Sequence, residues 1–162
     1  MAVSKLNAPA AASKTRYVVT LTSGTSWTVP TGVTYVNATL VGGGGGGGAG
    51  RGSSPTLFGM DGGGGQIITT YVTTTPAASI AYAIGGGGSR GGTQSAGGTG
   101  GSTTFTGATT AVGGPGGAYV ASPSADGVAG VSASNYGLGG GAGDNVYGSV
   151  GGAGKIELEY WL

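Results

Sequence analysis

The chain is predicted to be all-β: a short-stranded β-sandwich or jelly-roll-like sheet with glycine-rich segments built into it. Three observations point there. Short stretches rich in Val, Ile, Thr and Tyr are bounded by turn residues. Apolar residues nowhere recur at the 3.6-residue period of a helix. Glycine runs, the longest from Gly42 to Gly48, separate the strand-like stretches along most of the chain.

The strands follow in order. Tyr17 to Thr22 is β-branched and aromatic and ends at the turn Ser23-Gly24. Ser26 to Pro30 alternates, with Trp27 and Val29 on one face. After Pro30-Thr31-Gly32, the segment Val33 to Val41 puts Val36, Ala38 and Leu40 on one face and Tyr35, Asn37 and Thr39 on the other. Gln66 to Thr73 and Ser79 to Ile84 are joined by a turn around Pro76. Short strands are expected at Ser102 to Phe105 and at Thr109 to Val112. The last stretch, Lys155 to Leu162, turns Ile156, Leu158 and Tyr160 inward and Lys155, Glu157 and Glu159 outward, and should close the sheet next to an early strand. Trp27, Tyr35, Ile67, Tyr82 and Trp161 are expected in the core.

Composition narrows the class. Glycine contributes 42 of 162 residues and proline 6, a proportion usual in disordered chains. Disorder also goes with high net charge and few aromatics; here the net charge is +1 and there are twelve aromatic residues, 8 Tyr, 2 Trp and 2 Phe. Charged residues are 7% of the chain, against about a quarter in ordinary soluble domains. So uncharged a surface favours association, and no charge occurs from Tyr17 to Gly50, so little free solvent exposure is expected of this sheet. The chain therefore reads as a part built into an assembly. The six Lys and Arg form no nucleic-acid footprint. With no Cys and no His, disulfide, thiolate and imidazole chemistry are excluded. No apolar stretch reaches about 18 residues, so membrane insertion is not expected. The start lacks the apolar core of a secretory signal, so synthesis is expected in a cytoplasm.

Two regions are distinguished. Residues 1–16 are small, polar and proline-interrupted, hold three of the six positive charges, and read as an arm and candidate anchor. Residues 17–162 form the glycine-rich β domain.

The glycine runs fit poorly as flexible linkers, because they interleave too regularly with strands. Phosphate-loop signatures fail: Ser149 stands where a Walker-type loop ending at Gly154-Lys155 needs glycine, and Ile156 where it needs Ser or Thr. Two readings remain. Either the runs are glycine loops, or they are extended polyglycine-II helices with three residues per turn, packed at backbone distance and bonded laterally. In the second, Arg51, Asp61, Arg90 and Pro115 are expected at turns.

The order of segments carries a resemblance. Trp27-Thr28-Val29-Pro30-Thr31-Gly32-Val33-Thr34 leads into the first glycine run, followed by Tyr82-Ala83-Ile84-Gly85, then Gly100-Gly101-Ser102-Thr103-Thr104-Phe105 and Gly113-Gly114-Pro115-Gly116-Gly117. The close is Gly151-Gly152-Ala153-Gly154-Lys155-Ile156-Glu157-Leu158-Glu159-Tyr160. In this order residues 17 to 162 resemble the glycine-rich domains of bacteriophage tail fibres, adhesins and minor tail proteins. The resemblance implies a virion structural subunit, often homotrimeric, that contacts other virion proteins and often a host surface receptor or glycan.

Chemistry is sparse. Glu157 and Glu159 share one strand face, where a solvated surface explains them better than paired hydrolytic carboxylates. Asp61, Asp126 and Asp144 neighbour glycine, as turn residues do. No catalytic residue, metal site or cofactor is expected. Aromatic and apolar side chains interrupting the glycine stretches are the candidates for receptor-binding loops: Leu57, Phe58, Met60, Tyr119, Tyr136 and Tyr147. The competing role is a decoration protein that only stabilises neighbouring capsid or tail subunits.

Overall fold

A computed structural model of the chain describes residues 14–50, 58–120, 137–140 and 148–162, with only the backbone of Phe58 and Val120. Most of the N-terminal arm and Arg51 lie outside the described residues. Nine strands are formed among the described residues: β1 (Arg16–Leu21), β2 (Ser26–Thr28), β3 (Tyr35–Val41), β4 (Phe58–Gly59), β5 (Ile67–Thr73), β6 (Ser79–Ala83), β7 (Thr104–Phe105), β8 (Tyr119–Val120) and β9 (Lys155–Trp161).

Two antiparallel sheets make a sandwich. The larger has the order β1-β9-β3-β5 and the smaller β2-β6-β7. Alternation decides the larger sheet's inner face: Val36, Ala38 and Leu40 of β3 and Ile156 and Leu158 of β9 are fully buried. The smaller sheet closes over them with Trp27, Ile80, Tyr82 and Phe105. Trp27 joins the layers, its ring centroid 6.0 Å from Tyr160 and 6.3 Å from Phe105. The turns are glycine-set: Gly32 and Gly107 hold φ of +86° and +89° at the third positions of turns closed by Val33 N–H to Pro30 O and Ala108 N–H to Phe105 O. Nothing in the strand order calls for a jelly roll.

Four expectations are corrected. β9 does pair with β1, but it also pairs with β3 and so lies inside the sheet. The stretch around Ala111 is no strand; it makes a single bridge to Thr103 and then continues as a glycine-type segment. Tyr35 (46% exposed) and Ile67 (49%) are on the open outer face rather than in the core. Trp161 stands beside Tyr35 there, half-buried, with ring centroids 6.4 Å apart. Little free exposure is expected of the sheet around the uncharged 17–50 segment; the larger sheet instead has an open face, where Tyr71 is 75% exposed and where the Lys155–Glu157 and Arg16–Glu159 pairs also lie.

The glycine runs are not loops. Residues 42–49 continue β3 out of the sandwich, and their N–H groups go to three antiparallel neighbours in rotation. Gly42, Gly45 and Gly48 donate to Gln66, Gly63 and Met60; Gly43, Gly46 and Ala49 to Gly101, Gly98 and Ser95; Gly44 and Gly47 to Gly152 and Ser149. The carbonyls of Gly43 and Gly46 accept from Gly114 and Gly117, those of Gly44 and Gly47 from Gly88 and Gly91, and that of Gly45 from Gly140. A repeat of three with bonds radiating outward is the polyglycine-II helix. Six segments thus surround the central one, and they also bond to each other. Segment 60–66 bonds to 112–118, as in Gly63 N–H to Pro115 O (2.8 Å). Segment 95–101 bonds to 112–118 and 85–91, 148–154 to 85–91 and 137–140, and 62–65 to 137–140, so the ring closes. Ring neighbours run antiparallel throughout.

This packing dictates where glycine is needed. A Cβ on Gly44 would lie 1.8 Å from the Leu138 carbonyl oxygen, and one on Gly45 1.8 Å from that of Pro115. In the outer segments the residues facing the centre or a ring neighbour are so confined, a Cβ on Gly139 lying 1.7 Å from Gly62 O and one on Gly87 1.8 Å from Gly151 O, while an outward residue such as Gly86 has open space. Gly85, Gly88 and Gly91 are buried and Val112, Pro115 and Ala118 exposed, each set three apart. Asp61, Arg90 and Pro115 accordingly interrupt extended segments rather than marking turns. Pro115 needs no N–H where it stands, and its carbonyl still accepts.

Thr103 ties the bundle to the sandwich. Fully buried, its hydroxyl donates to Val41 O (2.7 Å) and accepts from Gly85 N–H (3.0 Å), the places where β3 and β6 turn into glycine segments.

Two predictions follow from this packing. Gly44→Ala forces backbone apart and should destabilise by about 3 kcal/mol or more. Gly86→Ala has nothing within 4 Å of its new methyl and no positive φ, so it should stabilise by about 0.4–1 kcal/mol through the unfolded state. Denaturant melts of the two variants would read opposite signs. Thr103→Val leaves a buried N–H and a buried C=O each short of a partner and should cost about 2 kcal/mol by the same measurement, whereas Thr103→Ser should be nearly neutral.

Candidate functional site at the far end of the glycine bundle

The central segment leaves the sandwich at Gly42 and ends at Ala49, a span of roughly 22 Å at about 3.1 Å per residue. Chain connections collect at that far end. Residue 50 and Phe58 flank one, Gly91 and Ser95 a second, and Gly140 and Gly148 a third, while segment 112–118 arrives there and passes into β8. β4 and β8 cap the bundle, pairing Phe58 with Val120 and Gly59 with Tyr119. Ala49 and Ser95 form a bridge beside them.

Of the side chains singled out in the sequence, two are placed here with their surroundings. Tyr119 is 46% exposed, and Met60 is half-buried. The Met60 backbone is held on both sides: its N–H donates to Ala118 O and its carbonyl accepts from Gly48, both at 2.8 Å. Phe58 is in β4 by its backbone. Leu57, Tyr136 and Tyr147 lie outside the described residues. Gly148, after Tyr147, accompanies Gly47 at the far end, whereas Gly137, after Tyr136, bonds to Gly65 beside the sandwich.

The turn at 92–95 was missed. Ser95 N–H and Oγ–H both donate to Gly92 O (3.0 and 3.1 Å), and Gln94 takes a φ of +55°. Arg90, Thr93 and Gln94 are exposed around it. The polar run Thr93-Gln94-Ser95 between glycine pairs was the available signal. The far end therefore offers one exposed aromatic, a half-buried thioether, and a compact polar turn with a guanidinium nearby.

The paired carboxylates lie elsewhere and are each engaged. Glu157 accepts from Lys155 Nζ (2.8 Å) and Glu159 from Arg16, both on the open face of the larger sheet. Among the described residues, no three His, Cys, Asp or Glu side chains come together as a metal site would need.

The arrangement of strands leading into interleaved glycine segments extends over nearly the whole chain, and so does the match to known families. The family model described as a glycine-rich domain matches residues 20–160. The chain belongs to the glycine-rich domain family. Comparison with curated proteins found no match. In this glycine-rich domain the strands supply the core, and the glycine supplies the backbone array that carries the far-end surface.

Proposed function

We propose that this glycine-rich domain is a bacteriophage virion protein, a small tail-fibre or tail-tip subunit that contributes to host-receptor binding through the far end of its glycine bundle. The observation that carries the reading is the bundle itself. A hexagonal backbone array with bonds in every lateral direction is stiff, and it holds β4, β8 and the 92–95 turn about 22 Å from the sandwich. Loops on a rigid support are the usual place for recognition. Tyr119, Met60 and the polar Thr93-Gln94 pair combine a stackable ring with hydrogen-bonding groups, which suits a surface glycan or a protein receptor.

The resemblance of the segment order to that of phage tail proteins supports the virion setting, as does the chain's scarcity of charge. The other virion proteins are its expected neighbours, and the particle surface its place.

The test is binding of fluorescently labelled protein to a panel of bacterial strains. Wild type should bind a subset, and Tyr119→Ala should weaken binding about tenfold, as an exposed aromatic anchor does, without moving the melting temperature. Protein that binds no strain, yet is found at regular positions on the capsid, would mean a decoration role instead.

A further inference from the structure

Among the described residues the larger sheet has two unpaired edges of different character. β1 is charged at its start: Arg16 reaches across to Glu159, and Lys14 precedes it. Charge on an edge is the ordinary protection against strand pairing. β5 has none. From Ile67 to Thr73 it is seven residues of Ile, Thr, Tyr and Val without charge, proline or bulge.

The hydrogen-bond phase shows which groups are open. Gly42 donates to Gln66 O and Thr74 N–H to Thr34 O, so even-numbered residues of this strand face β3. The N–H and C=O groups of Ile67, Thr69, Tyr71 and Thr73 point to the edge, and none is bonded to another described residue. Exposure concentrates on the same strip, with Tyr71 75% and Ile67 49% exposed.

We propose that β5 pairs antiparallel with β5 of a second copy of this chain, about a two-fold axis at Thr70, to give a continuous eight-stranded sheet. The strand is self-complementary in that register. Ile67 faces Thr73, and Thr69 faces Tyr71, as hydrogen-bonded pairs using the open groups on both copies. Ile68 faces Val72 on the core side, and Thr70 faces its own equivalent. Each is a β-branched or aromatic pairing of the kind that stabilises sheets, and no like charges meet.

Charge also selects two copies over three. Three copies joined edge to edge around an axis, β5 to the next β1, would have to turn their open faces inward, because the smaller sheet covers the other face. Glu157 and Glu159 of every copy, with their partners Lys155 and Arg16, would then crowd the axis, at the desolvation cost of buried ion pairs. Two-fold pairing leaves both in water. It therefore replaces the homotrimer that resemblance to tail proteins implies, and it is independent of receptor binding.

Light scattering on the whole protein should give twice the 15.1 kDa chain mass; one or three chain masses would overturn the proposal. Thr70→Cys provides the register test in a chain that otherwise has no cysteine. Facing residues at a non-hydrogen-bonded position are about 4.5 Å apart at Cα, within disulfide range, so mild oxidation should link two chains. Thr20→Cys on β1 should stay unlinked; the reverse pattern sinks the idea. Thr69→Lys with Tyr71→Lys sets lysines opposite each other twice and should weaken self-association about tenfold or more, with strand content unchanged by circular dichroism. Thr69→Glu with Tyr71→Lys restores complementarity in this register alone and should remain dimeric. If it dissociates as readily as the double lysine variant, the register is wrong.

Discussion

Lateral hydrogen bonding of the central glycine segment is the constraint on which the rest of the structure depends. A helix with three residues per turn sends its N–H groups out along three rows and its C=O groups along three more. Around residues 42–49 each row meets a neighbouring segment, antiparallel where the core donates and parallel where it accepts. Once all six directions are filled there is no direction left for a side chain. Gly44 and Gly45 are glycine because any Cβ would lie within 2 Å of a carbonyl oxygen. A segment on the ring keeps an open side, so residues such as Val112, Pro115, Thr99 and Val150 are admitted there. The uninterrupted run in the middle and the interrupted runs around it are the same rule applied at two depths.

Such an array gains little by itself. Ordering a residue's backbone costs about 1–2 kcal/mol, more for glycine, and a lateral hydrogen bond returns about 0.5–1.5 kcal/mol net. Glycine has almost no apolar surface with which to make up the difference. The sandwich must therefore hold the array, and register shows how. β3 and β5 pair Val41 with Ile67, and the same register continues through Gly42–Gln66, Gly45–Gly63 and Gly48–Met60. β3 with β9 pairs Asn37 with Glu159 and runs on to Gly44–Gly152 and Gly47–Ser149. β6 with β7 pairs Tyr82 with Phe105 and runs on to Gly86–Gly101 and Ser89–Gly98. Only the period changes, from two to three, as the chain crosses the Thr103 junction. The apolar core thus chooses the alignment that the glycine merely extends, and the bundle is not expected to fold apart from it.

How much of this the sequence disclosed follows from the same physics. Strands with one decisively apolar face, β3 and β9, were legible to within a residue or two, and their inward residues are the buried ones. Strands with two weakly polar faces were not. Ile67 and Ile68 look alike, and Tyr35 looks more like core than Val36. A period of two separates the faces but does not say which is covered when neither carries charge. The three-residue spacing of Val112, Pro115 and Ala118 was written in the sequence, yet Pro115 was read as a turn because proline ordinarily marks one. In a polyglycine-II segment an outward residue needs no N–H, so proline loses its usual meaning. Of the candidate site, Tyr119 and Met60 were found by their oddity among glycines. Leu57, Tyr136 and Tyr147 lie outside the described residues.

The architecture also separates what must stay fixed from what is free to change. Inward glycines and the strand core leave almost no tolerance, because a single methyl meets backbone. Outward positions on the ring, such as Gly86, meet open space instead. Tyr119, Thr93 and Gln94 can be replaced without disturbing a bond of the central segment. A surface meant to meet different receptors needs this independence, and an ordinary β-sandwich loop lacks it where loop residues also plug the core. The cost of filling the interior with glycine, a poor residue for stability, is then understandable if the far end is where the protein acts: backbone bonding gives stiffness that asks nothing of the side chains displayed.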